Sequence, residues 1–540
     1  MSETAVAPIQ PERLEAGPPK YGRMPPVPAR RVGWREKTGF MAMVFGMFMA
    51  ILDIQIVASS LSELQAGLSA GPDEIAWIQT SYLIAEVIMI PLSGWLARLM
   101  STRWLYLTSV TGFTIASAAC AFAGGLGSMV VFRALQGFLG GAMIPSVFAT
   151  SFTIFPPEQR ARMSVLIGLT ATLAPTLGPT LGGWITANMS WHWLFLINVI
   201  PGILVGITVF RFVHFDRPNW HLLKRFDYIG IISVALFLGS LEYVLEEGVR
   251  DDWFASDVIS FFSILAAISA IVFFWRELAC ENPVINLRAF KDRNFAIGCA
   301  FAFVIGIGLY GAVYVIPLFL GRVSHYDSLE IGIVMMVTGM FQFVAAPMAG
   351  NMVRRLDPRV MLGIGFSLFA LALWLNARLT ADTGYWDLFL PQALRGMALM
   401  FCFVPVNAIA LGLLPPEQLK NASGLYNLMR NLGGALGLAT INTIVIDRFS
   451  LHQQRLAEAV TGSRPQVQAY IDSIAARFES LVPADPSLVA MKLLSGIVQR
   501  EATVMTFSDA LLVIAAVFVA ALAMIPLLKR VSIVPGASSE

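Results

Sequence analysis

Asp53, Glu86 and Arg133 are the residues of this chain best placed to do chemistry, because each sits inside a long apolar run. Ionisable side chains at membrane depth are costly and mark functional sites by default. A carboxylic acid there can hold or release a proton, whereas an arginine stays charged. Asp53 lies about seven residues from the outer end of its run and Arg133 about six from the outer end of another, which at about 1.5 Å per residue puts both roughly 10 Å below one surface. Pairing would make the burial of each tolerable. A static pair and a proton carrier both fit that arrangement. Glu86 falls near the middle of its run with no obvious partner, and reads as a second proton site or a contact for a cationic substrate. Arg395 and Asp509 sit at similar outer depths later in the chain and are candidates for an equivalent pair. Glu242, Glu246 and Glu247 fall near the end of a run and read as solvated.

A second unusual stretch is "APTLGPTLGG", residues 174–183, inside a run long enough to cross a bilayer. Proline removes a backbone donor and glycine adds chain entropy, so both are usually kept out of helix interiors. Gly178 and Gly182 are four residues apart and share a helix face. Small residues there let a neighbouring helix approach closely. Pro175 and Pro179 free carbonyls that this neighbour must shield.

Other chemistry is not indicated. Cys120, Cys280, Cys299 and Cys402 show no paired spacing, so neither a disulfide nor a metal site is expected. "WHW" at 191–193 reads as an interfacial aromatic anchor. No phosphate-cradling Gly-x-x-x-x-Gly-Lys-Ser/Thr loop occurs, which argues against ATP drive. A membrane enzyme acting on lipids would need a nucleophile–base or metal cluster, and the sequence offers none. No cofactor is expected, and the net charge of +2 gives no reason to expect a nucleic-acid partner.

The elements that position these residues follow from composition. Apolar residues make up 56% of the chain, charged ones 13%, and the mean hydropathy is +0.69, against roughly 25% charge in a soluble domain. A spanning helix needs about 20 predominantly apolar residues. Fourteen such runs are present, near 38–60, 74–98, 102–124, 127–155, 163–187, 191–213, 227–247, 255–276, 295–321, 328–353, 359–379, 386–414, 422–445 and 503–529. The expected class is an all-α polytopic membrane protein. Residues 1–37 are polar and Pro-rich and read as a disordered tail without a cleavable signal. Lys and Arg concentrate roughly fivefold in alternate short loops, which puts the N-terminus and the 530–540 tail in the cytoplasm.

The chain also repeats itself. "RALQGFLGGAMIPSVFATSFTIFPPEQ" from Arg133 and "QALRGMALMFCFVPVNAIALGLLPPEQ" from Gln392 align at an offset of about 259 residues. The expected organisation is a six-helix bundle at 38–213, a two-helix insertion with linkers at 214–294, and a second six-helix bundle at 295–529. A parallel duplication of this kind puts the substrate path between the halves. The second bundle carries an extracytoplasmic loop at 446–502. In it Val467, Tyr470, Ile471, Ile474, Phe478 and Leu481 recur at helical spacing, and Asp485-Pro486 signals a helix start that runs into the last span.

"LDIQIVASSL", "WIQTSYLIAEVIMIPLSGWLAR", "RALQGFLGGAMIP", "GPTLGGWI" and "WHWLFLINVIPG" together resemble the major facilitator superfamily. Within it they resemble the fourteen-span drug:proton antiporter branch of EmrB/QacA type, on the bacterial EmrB-like side. The resemblance implies the major facilitator fold and multidrug efflux across a bacterial inner membrane by proton antiport. It makes Asp53 the proton carrier, tuned by Arg133 and Gln136, with Glu86 a further candidate. Gly178, Pro179, Gly182 and Gly183 match the antiporter motif, in which the kinked fifth helix packs against the second half and seals the pore. The implied partners are hydrophobic substrates, protons, the lipid bilayer, a periplasmic adaptor docked on the outer loop and an outer-membrane channel. An uptake symporter, or an exporter of one lipid-like, fatty acid or siderophore-like metabolite, is the alternative. One departure stands out: "GWLARLMSTR" keeps Gly94 and Arg103 but has Arg98 where the superfamily places an acid. The latch of that loop is not expected, and positive-inside anchoring is the reading there.

Overall fold

The computed structural model describes residues 32–71, 74–225, 227–280, 283–412, 414–461, 463–478 and 486–529. The tails up to residue 31 and from 530, and Leu481 and Asp485 of the outer loop, lie outside these residues.

Among the described residues all regular structure is helical. The first half comprises α1 (Trp34–Ala58), α2 (Leu61–Leu68), α3 (Trp77–Met100), α4 (Thr102–Ala121), α5 (Leu126–Gly140), α6 (Met143–Ile154), α7 (Pro157–Asn188), α8 (Trp193–Leu196) and α9 (Val199–Phe212). Two helices follow, α10 (Tyr228–Glu247) and α11 (Asp257–Ala279). The second half comprises α12 (Arg293–Arg322), α13 (Ser328–Arg355), α14 (Pro358–Asn376), α15 (Tyr385–Leu411), α16 (Pro416–Ala459), α17 (Pro465–Phe478) and α18 (Pro486–Leu522).

Local chemistry explains several boundaries. Both copies of "PPEQ" open a helix: α7 and α16 begin at the second proline, with the first at the N-cap. A proline at the first helical position loses nothing, since its missing N–H would have had no partner. The Asp327 carboxylate accepts from Glu330 N at 2.8 Å while Glu330 caps Asp327 N at 3.0 Å, a reciprocal start for α13. The fourth apolar run breaks at Gly140–Gly141 into α5 and α6. A Cβ on Gly141 would lie 2.8 Å from the Glu86 carbonyl, so the glycine allows α3 to close on the break.

Thirteen stretches of the described residues are long and apolar enough to cross a membrane. They coincide with thirteen of the fourteen apolar runs. The remaining run, 422–445, is the middle of α16, where Asn427 and Arg430 lower the hydropathy yet are buried. The outer segment 446–502 differs from a loop. "RFSLHQQRLAEA" has no glycine or proline to stop α16, which continues to Ala459. The amphipathic stretch forms α17, and α18 starts at Pro486 and runs unbroken through the last span.

The packing repeats between halves. α1 lies against α7 and α9, and α12 against α16; α3 pairs with α5, and α13 with α15. The halves meet where α7 lies along α13 and α3 lies along α16, and α10 packs outside α3 and touches α16.

At the end of the bundle where the chain's described termini lie, the halves are in contact. A Cβ on Gly94 would fall 2.7 Å from the Lys420 carbonyl, one on Gly424 3.2 Å from the Ile90 carbonyl, and one on Gly350 2.9 Å from Val165 Cγ2. At the opposite end the halves part around a cavity.

Candidate functional site

Asp53 is fully buried on α1 and forms the node of a polar cluster. Arg133 Nη1 donates to its Oδ2 at 2.6 Å. Gln136 Nε2 and Asn198 Nδ2 donate to its Oδ1 at 3.0 and 2.6 Å. Arg133 Nη1 also donates to Gln136 Oε1 at 2.8 Å, and its Nε donates to the Ile78 carbonyl at 3.2 Å. The guanidinium carbon lies 4.2 Å over the Tyr82 ring. Asn198 Nδ2 further contacts Ser117 Oγ at 3.1 Å, which in turn donates to the Phe195 carbonyl.

Helix geometry places the arginine. Arg133, Gly137 and Gly141 recur every four residues on the α5–α6 face that meets α3. A Cβ on Gly137 would lie 2.2 Å from the Tyr82 carbonyl, so α5 and α3 touch backbone to backbone there. That approach brings Arg133 under Tyr82 and within reach of Asp53. A buried charge of this kind is stable only when paired and hydrogen-bonded, and both conditions hold.

The second half carries a displaced version. By the repeat offset, Arg133 aligns with Gln392 and Gln136 with Arg395. Arg395 does not pair with Asp509, contrary to expectation. Its Nη2 donates to Thr338 Oγ1 at 3.0 Å, and Thr338 Oγ1 donates to Gln392 Oε1 at 3.0 Å. Asp509 instead meets His452 Nε2 at 2.9 Å and Arg448 Nε at 3.7 Å, on the outer extension of α16. The reason is direction: Arg395 on α15 faces α13, whereas Asp509 on α18 faces α16. The stretch Leu309–Val313 of α12, which corresponds to the Asp53 region, has no carboxylate.

The glycine motif lies elsewhere than expected. A Cβ on Gly178 would fall 2.3 Å from Gln55 Cβ, and one on Gly182 2.4 Å from Ser59 Oγ and 2.9 Å from the Ile56 carbonyl. Both glycines therefore face α1 of their own half, two to six residues past Asp53. The contact with the second half uses the other side of α7, where Thr180 meets Gly332 and Leu173 meets Gly339 of α13. Gly183 follows, buried, in the same helix, and Pro179 borders the cavity.

The cavity between the halves has a volume of about 460 Å³, within the roughly 300–1,000 Å³ typical of ligand sites. Gln55, Leu83, Pro179, Tyr310, Tyr314 and Asn442 are among its walls. It continues into a recess of about 40 Å³ bordered by Glu86, Glu242 and Glu246. Glu242 and Glu247 are buried and Glu246 is half-buried, so these residues are not solvated as their position near a helix end suggested. α10 packs against α3 and α16 and turns that face inward. Glu247 is satisfied by Thr80 Oγ1 at 2.9 Å and Arg250 Nη1 at 3.2 Å.

Three functional candidates were not visible as such. Asn198 completes the Asp53 cluster; an asparagine inside "LFLINVIPG" was the signal. Arg430 is buried on α16 with its guanidinium 5.7 Å from the Phe148 and Phe403 ring centres, and a charge inside an apolar run was the signal. Asp216 binds Thr102 N through both carboxylate oxygens at 3.0 Å and pairs with Lys420 Nζ, which also donates to the Ala97 carbonyl at 3.0 Å. An acid missing from the turn after α3 is thus supplied from beyond α9, and it ties the first half to α16. No short sequence pattern reports that exchange.

Two helical halves that meet at one end and part around a cavity at the other define a polytopic membrane transporter. Residues 43–438 match the Major Facilitator Superfamily, and the chain belongs to it. The chain is 41% identical over 476 residues to the colistin resistance protein EmrB of Acinetobacter baumannii, covering 88% of this chain and 93% of that protein. It is 31% identical to the multidrug export protein EmrB of Escherichia coli K12, covering 79% and 84%, and 30% identical to the fatty acid resistance protein FarB of Neisseria gonorrhoeae, covering 81% and 85%. Among solved structures, the proton:xylose symporter XylE covers 91% of this chain and 95% of its own with a TM-score of 0.58, and the human organic anion transporter MFSD10 covers 89% and 99% with a TM-score of 0.55. Both are 12% identical, so they speak to the fold alone.

Proposed function

We propose that this protein is a proton-coupled antiporter that exports hydrophobic or amphipathic toxic compounds by alternating access. The observation that carries this reading is Asp53, a titratable group with no exposure, held by Arg133, Gln136 and Asn198 one residue from the cavity wall at Ile54. Protonation removes the charge that holds Arg133 and converts one acceptor oxygen into a donor. The cluster must then rearrange. α1 carries that rearrangement to α7, because Gln55 and Ser59 rest directly on Gly178 and Gly182. The cavity lies toward the end away from the termini, a placement that fits the state that releases substrate outward and takes up a proton.

The names of the relatives agree with export and drug resistance. The termini are cytoplasmic, from the placement of Lys and Arg. The outer unit of α17 and the first turns of α18 is the docking surface for a periplasmic adaptor leading to an outer-membrane channel. α18 projects about 25 Å past the bilayer at about 1.5 Å per residue, and there Leu488, Met491 and Ile497 are exposed. FarB, named for fatty acid resistance, favours a lipid-like substrate as the second reading.

Everted membrane vesicles test the direction. Energised vesicles should accumulate a fluorescent amphipathic compound, and collapse of the pH gradient should release it. Accumulation only in right-side-out vesicles would make the protein a symporter.

A further inference from the structure

The recess behind the cavity holds three carboxylates, and among the described residues no cation is bonded to any of them. Glu86 of α3 and Glu242 of α10 are 2% and 4% exposed. Neither makes a hydrogen bond or an ion pair with any described residue, and Glu242 Oε2 is buried without a partner. Glu246 joins the recess to the main cavity and borders both. Glu242 and Glu246 are one turn apart on α10, on the face that also carries Gly239. A Cβ on Gly239 would lie 3.2 Å from Ile88 Cδ1 of α3, and that close approach lets Glu242 and Glu246 border one recess with Glu86.

The surrounding charges do not complete the set. Arg133 on α5 pairs with Asp53 on α1 through Nη1, and its Nη2 is buried without a hydrogen-bond partner. Glu247 on α10 is bound by Thr80 and Arg250. Arg430 of α16 is the remaining charged neighbour, but it packs on Phe148 and Phe403 and forms no ion pair. Tyr310 of α12 contributes an aromatic ring to both spaces. The recess thus holds a surplus of acceptors, next to a cavity with largely apolar walls.

We propose that this recess binds the positively charged group of an amphipathic organic cation, with Glu242 and Glu246 of the inserted helix α10 and Glu86 of α3 as the charge-selecting residues. The apolar body of the ligand fills the main cavity, and the Tyr310 ring lies at the junction where a cation–aromatic contact adds selectivity. An anion of the same shape is repelled. Helix α10, which lies outside the two repeated bundles, thereby supplies two of the three carboxylates. This rests on the export reading above, but it concerns what binds and not what drives transport.

The test is equilibrium binding to the purified full-length protein in detergent, using tetraphenylphosphonium and tetraphenylborate, which share shape and apolar surface but differ in the sign of charge. Tetraphenylphosphonium should bind the wild type more tightly than tetraphenylborate. Glu242→Gln should weaken tetraphenylphosphonium by about tenfold, the scale of one lost charged contact, without weakening tetraphenylborate. Glu242→Asp should recover part of the loss, which a folding defect would not. Glu247→Gln should leave the ratio of the two affinities unchanged. Equal binding of the two ions to the wild type, no binding of tetraphenylphosphonium, or an unchanged affinity in Glu242→Gln would overturn the proposal. No gradient is present in this assay. Charge selectivity without gradient-driven export counts against the antiport reading alone, and export without charge selectivity counts against this site alone.

Discussion

Arg133 and Arg395 face equivalent helix contacts in two copies of one repeat, and only Arg133 meets a carboxylate. The backbones are closely matched. A Cβ on Gly137 would lie 2.2 Å from the Tyr82 carbonyl, and one on Gly396 2.2 Å from the Thr338 carbonyl. The side chains are not matched: arginine and glutamine have exchanged places between "RALQG" and "QALRG". The second half keeps the scaffold of the site and lacks its acid. Under the proposed antiport, the proton carrier Asp53 therefore has no counterpart in the second half.

Removing Arg133 should be far more damaging than removing Arg395. Arg133→Ala leaves Asp53 as a buried unpaired carboxylate, a loss of roughly 3–5 kcal/mol. Thermal unfolding of the purified protein should show a large fall in midpoint. Arg133→Lys should fall less, since one cation remains, though without the fork that reaches Asp53, Gln136 and the Ile78 carbonyl together. Arg395→Gln removes a charge bonded only to neutral groups and should unfold close to the wild type. A midpoint for Arg395→Gln as low as for Arg133→Ala would contradict the asymmetry.

Gly178→Leu should stop export while the protein still inserts. A single Cβ there would already approach Gln55 Cβ to 2.3 Å, so α1 must move away from α7. Gly332→Ala on α13 adds only one methyl group, which meets side-chain atoms of Thr180 at 2.6–2.8 Å and no backbone, and should be milder. Dye efflux from cells with matched membrane levels measures both. Parental efflux by Gly178→Leu would show that close packing of α1 on α7 is not needed.

Lys420→Gln should loosen the closed end. Lys420 links α16 to Asp216 and to the Ala97 carbonyl of the first half. Without it, the state open toward the termini should become more populated. A cysteine at Ser423, which is buried in this contact, should react several-fold faster with a membrane-impermeant thiol reagent applied to everted vesicles. An unchanged rate would mean that the surrounding helix packing alone holds this end shut.

Deleting residues 465–478 should separate transport from resistance. These residues form α17, which rests on the outer part of α18, away from the cavity. Everted vesicles should still accumulate substrate, and whole cells should lose resistance because the adaptor no longer docks. Loss of vesicle transport would instead make α17 a lid of the transporter itself.

Much of this architecture was legible in the sequence because a membrane imposes length and hydropathy on every span. The Asp53–Arg133 pair was legible for the same reason, since two charges at equal depth have few other ways to be buried. Partners across the bundle were not. Asp509 looked available to Arg395 by depth, but depth does not tell which face of α15 or α18 turns to which neighbour. Glu242 and Glu246 looked solvated from their place near a helix end, and only the packing of α10 on α3 through Gly239 turns them inward. The Asp216–Lys420 link joins residues far apart in the chain, and no local spacing encodes it. The glycine motif marks a close contact, but a small-residue face does not identify the helix it meets: Gly178 and Gly182 rest on α1, while the other side of α7 meets the second half.

The most direct measurement compares two modes of transport by Asp53→Asn in proteoliposomes. Asparagine keeps the shape and an acceptor oxygen for Arg133 but carries no titratable proton. Exchange of labelled for unlabelled substrate needs only binding and the movement of the two halves. Uphill accumulation driven by a pH gradient also needs proton binding. Asp53→Asn should retain exchange and lose gradient-driven accumulation, which falls to the level of protein-free liposomes. Gradient-driven accumulation at the wild-type level would contradict it and remove Asp53 from the proton path.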